Sequence, residues 1–304
     1  MSERVRMSDI ARLAGVSTVT VSKVLSHTKG NNTSVAAETA QRILDIAKQA
    51  GYKPNNAARQ LKGQQSRLIG VLIDTYSSPA EFMRVSYAEQ AADLEDYRLI
   101  IGQCKPDMDN IKAYLDDFYS RGIEGLIMHA HAYPSIRKEI LSYCQTLPNV
   151  VYYDKPVGAT EDMHYVDIDI EAGVRKLLKR AVENGRKKIV FFVPYREFKY
   201  GKFQSFLLKE KAYTEFMNEH GLPYDKNFNQ RYIFPYEPGM KELIPHIQEM
   251  IEREKPDAII ARNDAVAAII LNVVLKMGLR CPEDIAITGY DNMKFTEYLS
   301  PALT

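Results

Sequence analysis

Residues Met7 to Leu25 read MSDIARLAGVSTVTVSKVL, and the spacing of their apolar residues predicts two short helices around a tight turn. Ile10, Leu13 and Ala14 recur at helical spacing behind Ser8, a good N-cap type. Ala14-Gly15-Val16 then breaks the pattern, and Ser17 can cap a second helix. In that second helix Val21, Val24 and Leu25 would face the first, which leaves Thr18, Val19, Ser22 and Lys23 pointing outward. Side chains this short let the backbone enter a major groove, so the pair is a candidate helix-turn-helix with these residues reading base edges. A helical hairpin buried in a core has the same spacing, and the neighbouring sequence must decide between them.

His27-Thr28-Lys29-Gly30-Asn31-Asn32-Thr33-Ser34 is a polar run that can only be a loop. A third helix follows, with Ile43, Ile46, Ala47 and Ala50 at helical spacing and a stop at Gly51-Tyr52-Lys53-Pro54. Asn55 to Gln65 is a linker whose middle favours a short helix, marginal by itself. Leu61 is its only large apolar residue and lies between Arg59 and Lys62; a leucine so placed suits either insertion into a minor groove or packing on the next domain.

Charge separates these segments from the rest. The 304 residues carry a formal charge of +1, yet residues 1 to 67 hold 11 Lys/Arg against 4 Asp/Glu, a balance of +7, and the remainder holds 29 against 35, a balance of −6. A basic head on an acidic body fits a phosphate-binding module attached to a second domain, because the nucleic-acid backbone supplies most non-specific affinity.

From Arg67 onward, apolar runs alternate with amphipathic helices: LIGVLID, YRLIIG, GLIMHA and NVVYYD in one half, then KKIVFFV, Arg231 to Phe234, DAIIA and DIAITGYD in the other. Continuous apolar strands separated by helices predict two α/β lobes, each around a largely parallel sheet covered on both faces. Ligands of such sheets lie beyond the carboxyl ends of the strands. Those ends offer Asp74 with Tyr76, His129 with His131, Asp154, Tyr195 with Arg196, Pro235 with Tyr236, Asn263 with Asp264, and Asp291 with Asn292. With 18 of the 19 Tyr beyond the head, a cleft between lobes would combine ring faces with carboxylates and amides, which suits a small polyhydroxylated ligand. Taken singly, an Asp or Asn after a strand is as readily a helix cap.

The usual catalytic motifs are missing: no G-x-S-x-G, P-loop, HExxH or GxGxxG stands at a strand end. His129, His131 and Asp154 could form an acid–base group, but binding without chemistry is the better reading, and neither cofactor nor metal is expected. Cys104, Cys144 and Cys281 are too few and too scattered for a disulfide framework or a zinc site and read as packed thiols. No apolar run reaches membrane-spanning length and MSERVRMSD lacks a signal-peptide core, so a cytoplasmic protein is expected.

MSDIARLAGVSTVTVSKVL, AGYKPNNAARQLKG, ARNDAVA and PEDIAITGYDN together resemble the LacI/GalR family of bacterial transcription regulators, from Val5 to Thr304. The last two motifs also occur in periplasmic sugar-binding proteins. The resemblance implies an all-α helix-turn-helix head over 1–54, a hinge over 55–66, and an effector-binding and dimerisation domain over 67–304. That domain would be α/β, two-lobed and periplasmic-binding-protein-like, with doubly wound parallel sheets: an N-lobe of about 67–166 plus 292–304 and a C-lobe of about 167–291. It further implies a homodimer on double-stranded operator DNA, controlled by a small sugar-like effector in the cleft.

By motif, groove-reading positions fall on Thr18, Val19 and Lys23, with Ser8, Thr20 and Ser22 beside them, and hinge contacts on Asn55, Ala58 and Leu61. Effector positions fall on Asp74, His129, Asp154, Lys209, Asp264 and Asp291, with Tyr76 and the stacking candidate Tyr236. Lys23 stands where many members have Arg and cannot make a planar bidentate fork to guanine. Ala36 stands where a Ser or Thr would cap the third helix, and a shifted start capped by Thr33 or Ser34 is one way to restore the cap. Lys209 occupies the place of an effector-clamping Arg, which opens the alternative of a phosphorylated or purine-like corepressor. Relatives continue past SPALT with a strand and helix, without which a sheet edge would be bare. A rival from another class is a two-lobed solute-binding protein or enzyme that does not act on DNA.

Overall fold

The structure is a computed structural model and describes residues 5–25, 35–53, 60, 63, 65–74, 79–129, 133, 135–196, 204–231, 233–234 and 240–303. The chain divides into two compact units, Met1–Ser66 and Arg67–Thr304.

In the first unit, α1 (Met7–Ala14), α2 (Thr18–Leu25) and α3 (Ala37–Gln49) pack around Ile10, Ala14, Val21, Val24, Ile43 and Ala47. Gly15 closes α1 at φ 64°, a left-handed turn that a side chain would strain. Ser17 caps α2 as expected, its Oγ accepting from the Thr20 N–H at 3.1 Å. Ser8 does not cap α1. It lies inside the helix and is exposed; Arg6 is the N-cap, and the Asp9 carboxylate takes over the capping bond from the Arg6 N–H at 2.9 Å. Leu13 also departs from expectation, being 62% exposed, while the smaller Ala11 faces the core. The third helix keeps its start: Ala36 is the N-cap without any side-chain bond, and Thr33 and Ser34 lie outside the described residues. Glu38 in the first turn partly compensates by facing the positive end of the helix dipole.

The second unit opens with β1 (Leu68–Asp74), α4 (Pro79–Leu94), β2 (Arg98–Cys104), α5 (Met108–Ser120), β3 (Gly125–Met128), α6 (Arg137–Cys144), β4 (Val150–Tyr153) and β5 (His164–Val166). Their strands form one parallel sheet in the order β2-β1-β3-β4-β5. β1 is an interior strand, buried toward its carboxyl end, whereas all three residues of the edge strand β5 are exposed. The unit is anchored at its start by Glu124, whose carboxylate accepts from the Arg67 N–H at 2.9 Å and the Tyr97 O–H at 2.8 Å.

The second lobe adds α7 (Ile170–Glu183), β6 (Ile189–Phe192), β7 (Tyr195–Arg196), α8 (Gln204–Glu219), β8 (Ile233–Phe234), α9 (Met240–Glu254), β9 (Ala258–Ala261), α10 (Asp264–Lys276) and β10 (Ala286–Thr288). Its parallel sheet runs β10-β9-β6, with β7-β8 as a separate parallel pair. The strand expected over Arg231 to Phe234 is shorter among the described residues: Arg231 ends a 3-10 turn over Phe228–Arg231, and Ile233–Phe234 is extended. Burial of Phe228 and the Asn229 side chain, which accepts from the Val193 N–H at 3.1 Å, pulls the segment into that turn. The closing residues also differ. They were expected on the first lobe, but Leu299 and Leu303 pack on the core of the second, because the Leu303 N–H returns to the Thr296 carbonyl at 3.3 Å and folds the segment back. No helix among the described residues is long and apolar enough to cross a membrane.

Candidate functional site

The outward face of α2 follows from its buried one. Val21 and Val24 are sealed against α1 and α3, which forces Thr18, Val19 and Lys23 to the surface; Val19 is 63% exposed. Thr20 and Ser22 are half-buried at the edges of this face, and the Thr20 hydroxyl is tied to Ser17 at 2.9 Å. A methyl-rich residue and two short polar ones, with a cation behind them, can meet a thymine methyl, base edges and a phosphate.

In the second unit the strand ends gather charge. In the first lobe, Asp74 ends β1 buried against Tyr133, whose O–H donates to the Cys104 carbonyl at 3.0 Å. His129 follows β3 with only 8% of its surface exposed. Its Nε2 lies 3.2 Å from Glu81 Oε1 on α4 and 3.8 Å from Asp154 Oδ2 after β4. Burial opposes the imidazolium, but the neighbouring carboxylates of Asp154, Glu81 and Asp74 outweigh it and raise the His129 pKa. Arg84 places its guanidinium over the Tyr153 ring, 4.6 Å from the centroid.

In the second lobe, Asn263 caps α10 by accepting from the Val266 N–H at 3.0 Å, and Asp264 is 3% exposed. Its Oδ2 accepts from the Met293 N–H at 2.6 Å, and a Cβ on Gly289 would stand 1.9 Å from Oδ1. Asp264 therefore holds the 289–293 loop. That loop carries Tyr290 and Asp291, the latter at φ 127°. Lys209 on α8 is 9% exposed; its ammonium donates to the Arg262 carbonyl at 2.8 Å and sits 3.7 Å over the Tyr290 ring. Burial lowers Lys209 to about 8, with Arg262 and Arg84 adding to the fall and Asp291 and Asp264 opposing it. Burial likewise pushes Asp291 up to about 6, Lys209 and Arg84 opposing and Asp264 and Glu81 adding.

Those influences run between lobes: Arg84 and Glu81 of the first act on Asp291 of the second, and Asp154 acts on Tyr290. Within the first lobe His129 and Asp154 lie together, and within the second Lys209 meets Tyr290 on the loop that Asp264 holds and that carries Asp291. Tyr76, Tyr236, Asn55, Ala58 and Leu61 lie outside the described residues, as does His131. Glu81, Arg84, Tyr153, Arg262 and Tyr290 were missed. The signal for the last four was adjacency: Tyr153-Asp154, Arg262-Asn263 and Tyr290-Asp291 flank chosen positions, and Arg84 lies one turn beyond Glu81 on the helix that leaves β1.

Residues 6–55 match the bacterial regulatory proteins of the lacI family, and residues 178–304 match a periplasmic binding protein-like domain. The HTH-type transcriptional repressor PurR of Histophilus somni (strain 129Pt) is 26% identical over 298 residues, 98% of this chain and 85% of that protein. PurR of Pasteurella multocida (strain Pm70) is 28% identical over 304 residues, with the same coverages of 98% and 85%. Catabolite control protein A of Priestia megaterium is 26% identical over 306 residues, 99% of this chain and 86% of that one. Among solved structures, the lac repressor dimer bound to operator and the anti-inducer ONPF shares the fold at a TM-score of 0.78 and 20% identity, covering 99% of this chain and 87% of that one. The CelR–cellobiose complex does so at a TM-score of 0.62 and 20% identity, covering 99% and 86%. The head is thus a lacI-family DNA-binding helix-turn-helix domain, and the chain is similar along nearly its whole length to LacI-type transcription regulators, with a periplasmic binding protein-like domain of two α/β lobes behind the head.

Proposed function

We propose that this regulator acts as a homodimer on operator DNA in the cytoplasm and that a small sugar-like effector in the cleft between lobes changes its operator affinity without any bond being made or broken. The observation that carries the reading is the division of α2 into a buried Val21/Val24 face and an exposed Thr18/Val19/Lys23 face. Ser8, Thr20 and Ser22 flank that face, and Asn55, Ala58 and Leu61 would supply the hinge contacts, Leu61 as a minor-groove wedge. Asp74, His129, Asp154, Lys209, Asp264 and Asp291, with Tyr76 and Tyr236, would form the effector set. Coupling requires only that the effector bind one arrangement of the domain better than the other.

The test is DNA binding by the full chain over a salt series. Affinity should fall with a log–log slope of about −0.9 per phosphate neutralised, and Lys23→Ala should flatten that slope by about one contact. A flat salt dependence in the unaltered chain overturns the assignment of the head. A purine-like corepressor is the second reading, favoured by the PurR relatives at 26–28% identity. Calorimetric titration against sugars and against purine bases separates the two.

A further inference from the structure

The group formed by Glu81, His129 and Asp154 has two members on rigid mounts and one on a mount that can yield. The His129 N–H donates to the Leu72 carbonyl of β1 at 3.0 Å and the Asp154 N–H to the Val166 carbonyl of β5 at 2.8 Å, so both residues continue the sheet past its strand ends. Glu81 stands instead in the first turn of α4, and of the 16 residues of that helix only Ala80 and Ala92 are buried. By contrast, α5 buries Met108, Ile111, Leu115 and Phe118. Packing supplies most of the stability of a helix in a protein, so a helix that buries this little of itself leans on its polar ties. At the start of α4, Glu81 Oε1 lies 3.2 Å from His129 Nε2, and one turn on Arg84 rests on the Tyr153 ring. That ring is itself 5.4 Å from the His129 ring, centroid to centroid.

We propose that His129 is a pH-dependent clasp: protonated, it holds the first turns of α4 to the ends of β3 and β4, and on losing its proton it lets that end of the helix open. Around the imidazole stand Glu81 from α4, Asp154 and the Tyr153 ring from the end of β4, and Asp74 from the end of β1, with Arg84 of α4 on the Tyr153 ring. An imidazolium attracts all three carboxylates. A neutral ring can still donate one N–H but no longer offsets their charge, and His129 is only 8% exposed, where water screens repulsion poorly. Of the three, Glu81 is the one whose mount gives way. Burial disfavours the charged ring, but the carboxylates outweigh it and raise the His129 pKa from 6.5, so the tie is complete below that value and is lost as pH rises through the folded-state pKa. The device lies within the first lobe and needs no ligand in the cleft, so it stands apart from the effector reading.

The test uses the full chain without ligand. Ring-carbon NMR of its six histidines, with His129 assigned by the resonance missing from His129→Gln, gives the midpoint of the ring titration. Hydrogen exchange of peptides covering the first half of α4 is then compared at about pH 6 and about pH 8.5, with times scaled for the intrinsic rate. The expected midpoint lies above 6.5, and protection of α4 should fall roughly 10- to 100-fold at the higher pH, the size of a lost hydrogen bond between charged groups, while α5 stays unchanged. His129→Gln and Glu81→Gln should each abolish the pH dependence of α4, and Glu81→Gln should also lower the His129 midpoint. Folding of both is checked by Tm, and either variant that folds decides. A His129 midpoint at or below 6.5, equal protection of α4 at both pH values in the unaltered chain, or a pH dependence that survives in a folded variant overturns the inference.

Discussion

The two lobes end a strand in the same words and use them oppositely. Tyr153-Asp154 closes β4 in the first lobe and Tyr290-Asp291 follows β10 in the second; both aspartates have positive φ, and both tyrosines carry a cation on the ring, Arg84 and Lys209 respectively. In the first lobe the aspartate faces His129 and the cation makes no ion pair among the described residues; in the second the cation donates to the Arg262 carbonyl and the aspartate makes no ion pair among the described residues. The same local chemistry thus leaves a donor on one side and an acceptor on the other, and burial decides which: Lys209 is sunk deep enough for its ammonium to need a carbonyl partner, whereas Arg84 keeps its guanidinium on a ring at the surface of its lobe.

The strongest way to break the comparison is at the loop that presents Asp291. Gly289→Ala drives a Cβ into Asp264, and we expect a loss of about 3 kcal/mol and a Tm lower by roughly 6–12 °C. Gly125→Ala in the first lobe meets only an ordinary contact at 3.5 Å and should cost less than about 1 kcal/mol. Equal Tm values for the two variants would show that Asp264 does not brace the loop. Next in size, His129→Ala leaves Glu81 and Asp154 facing each other without their shared partner, and should cost about 1–3 kcal/mol by thermal or urea unfolding.

The lobes should also separate by pH. Asp291 is raised from 3.8 to about 6, so the folded state binds more protons than the unfolded one between those values and stability falls as pH rises through that window. His129 is raised above 6.5, so its contribution is complete below that pH and is lost as pH rises through the folded value. Asp291→Asn should flatten the lower window and raise the Tm at pH 7 by about 2–4 °C, while His129→Gln flattens the upper one. Unchanged pH profiles in both would remove the electrostatic distinction between lobes. The smallest effect is expected for Lys209→Met, within about 1 kcal/mol of the parent at pH 7, since loss of the desolvation cost of the buried ammonium roughly offsets loss of its carbonyl bond.

The head was legible because its physics is local. Ser17 caps α2 by a bond across three residues, Gly15 turns because it lacks a Cβ, and the Val21/Val24 stripe needs only helical periodicity. Where local options competed the reading slipped: Asp9 outbid Ser8 for the cap, and Ala11 displaced Leu13 from the core. In the body, continuous apolar runs gave the parallel strands, but not the 3-10 turn at Phe228–Arg231 or the side to which Leu299 and Leu303 fold, both set by long-range burial. Strand ends mark the aspartates in the sequence but not the groups that come toward them from a helix, as Glu81 does to His129 and Arg84 to Tyr153.

What the amino-acid sequence determined by itself is therefore the class: a basic three-helix head, an acidic body of two parallel-sheet lobes, and a row of carboxylates at strand ends. Periodicity, capping and charge are written along the chain and need no folding to be read. Only the tertiary structure decided which of those charges are spent and which are open. That depends on groups far apart in sequence, Asp264 with Met293, Lys209 with Arg262, Arg84 with Tyr153, and on how deeply each is buried, because a polar group removed from water takes whatever partner the fold places nearest.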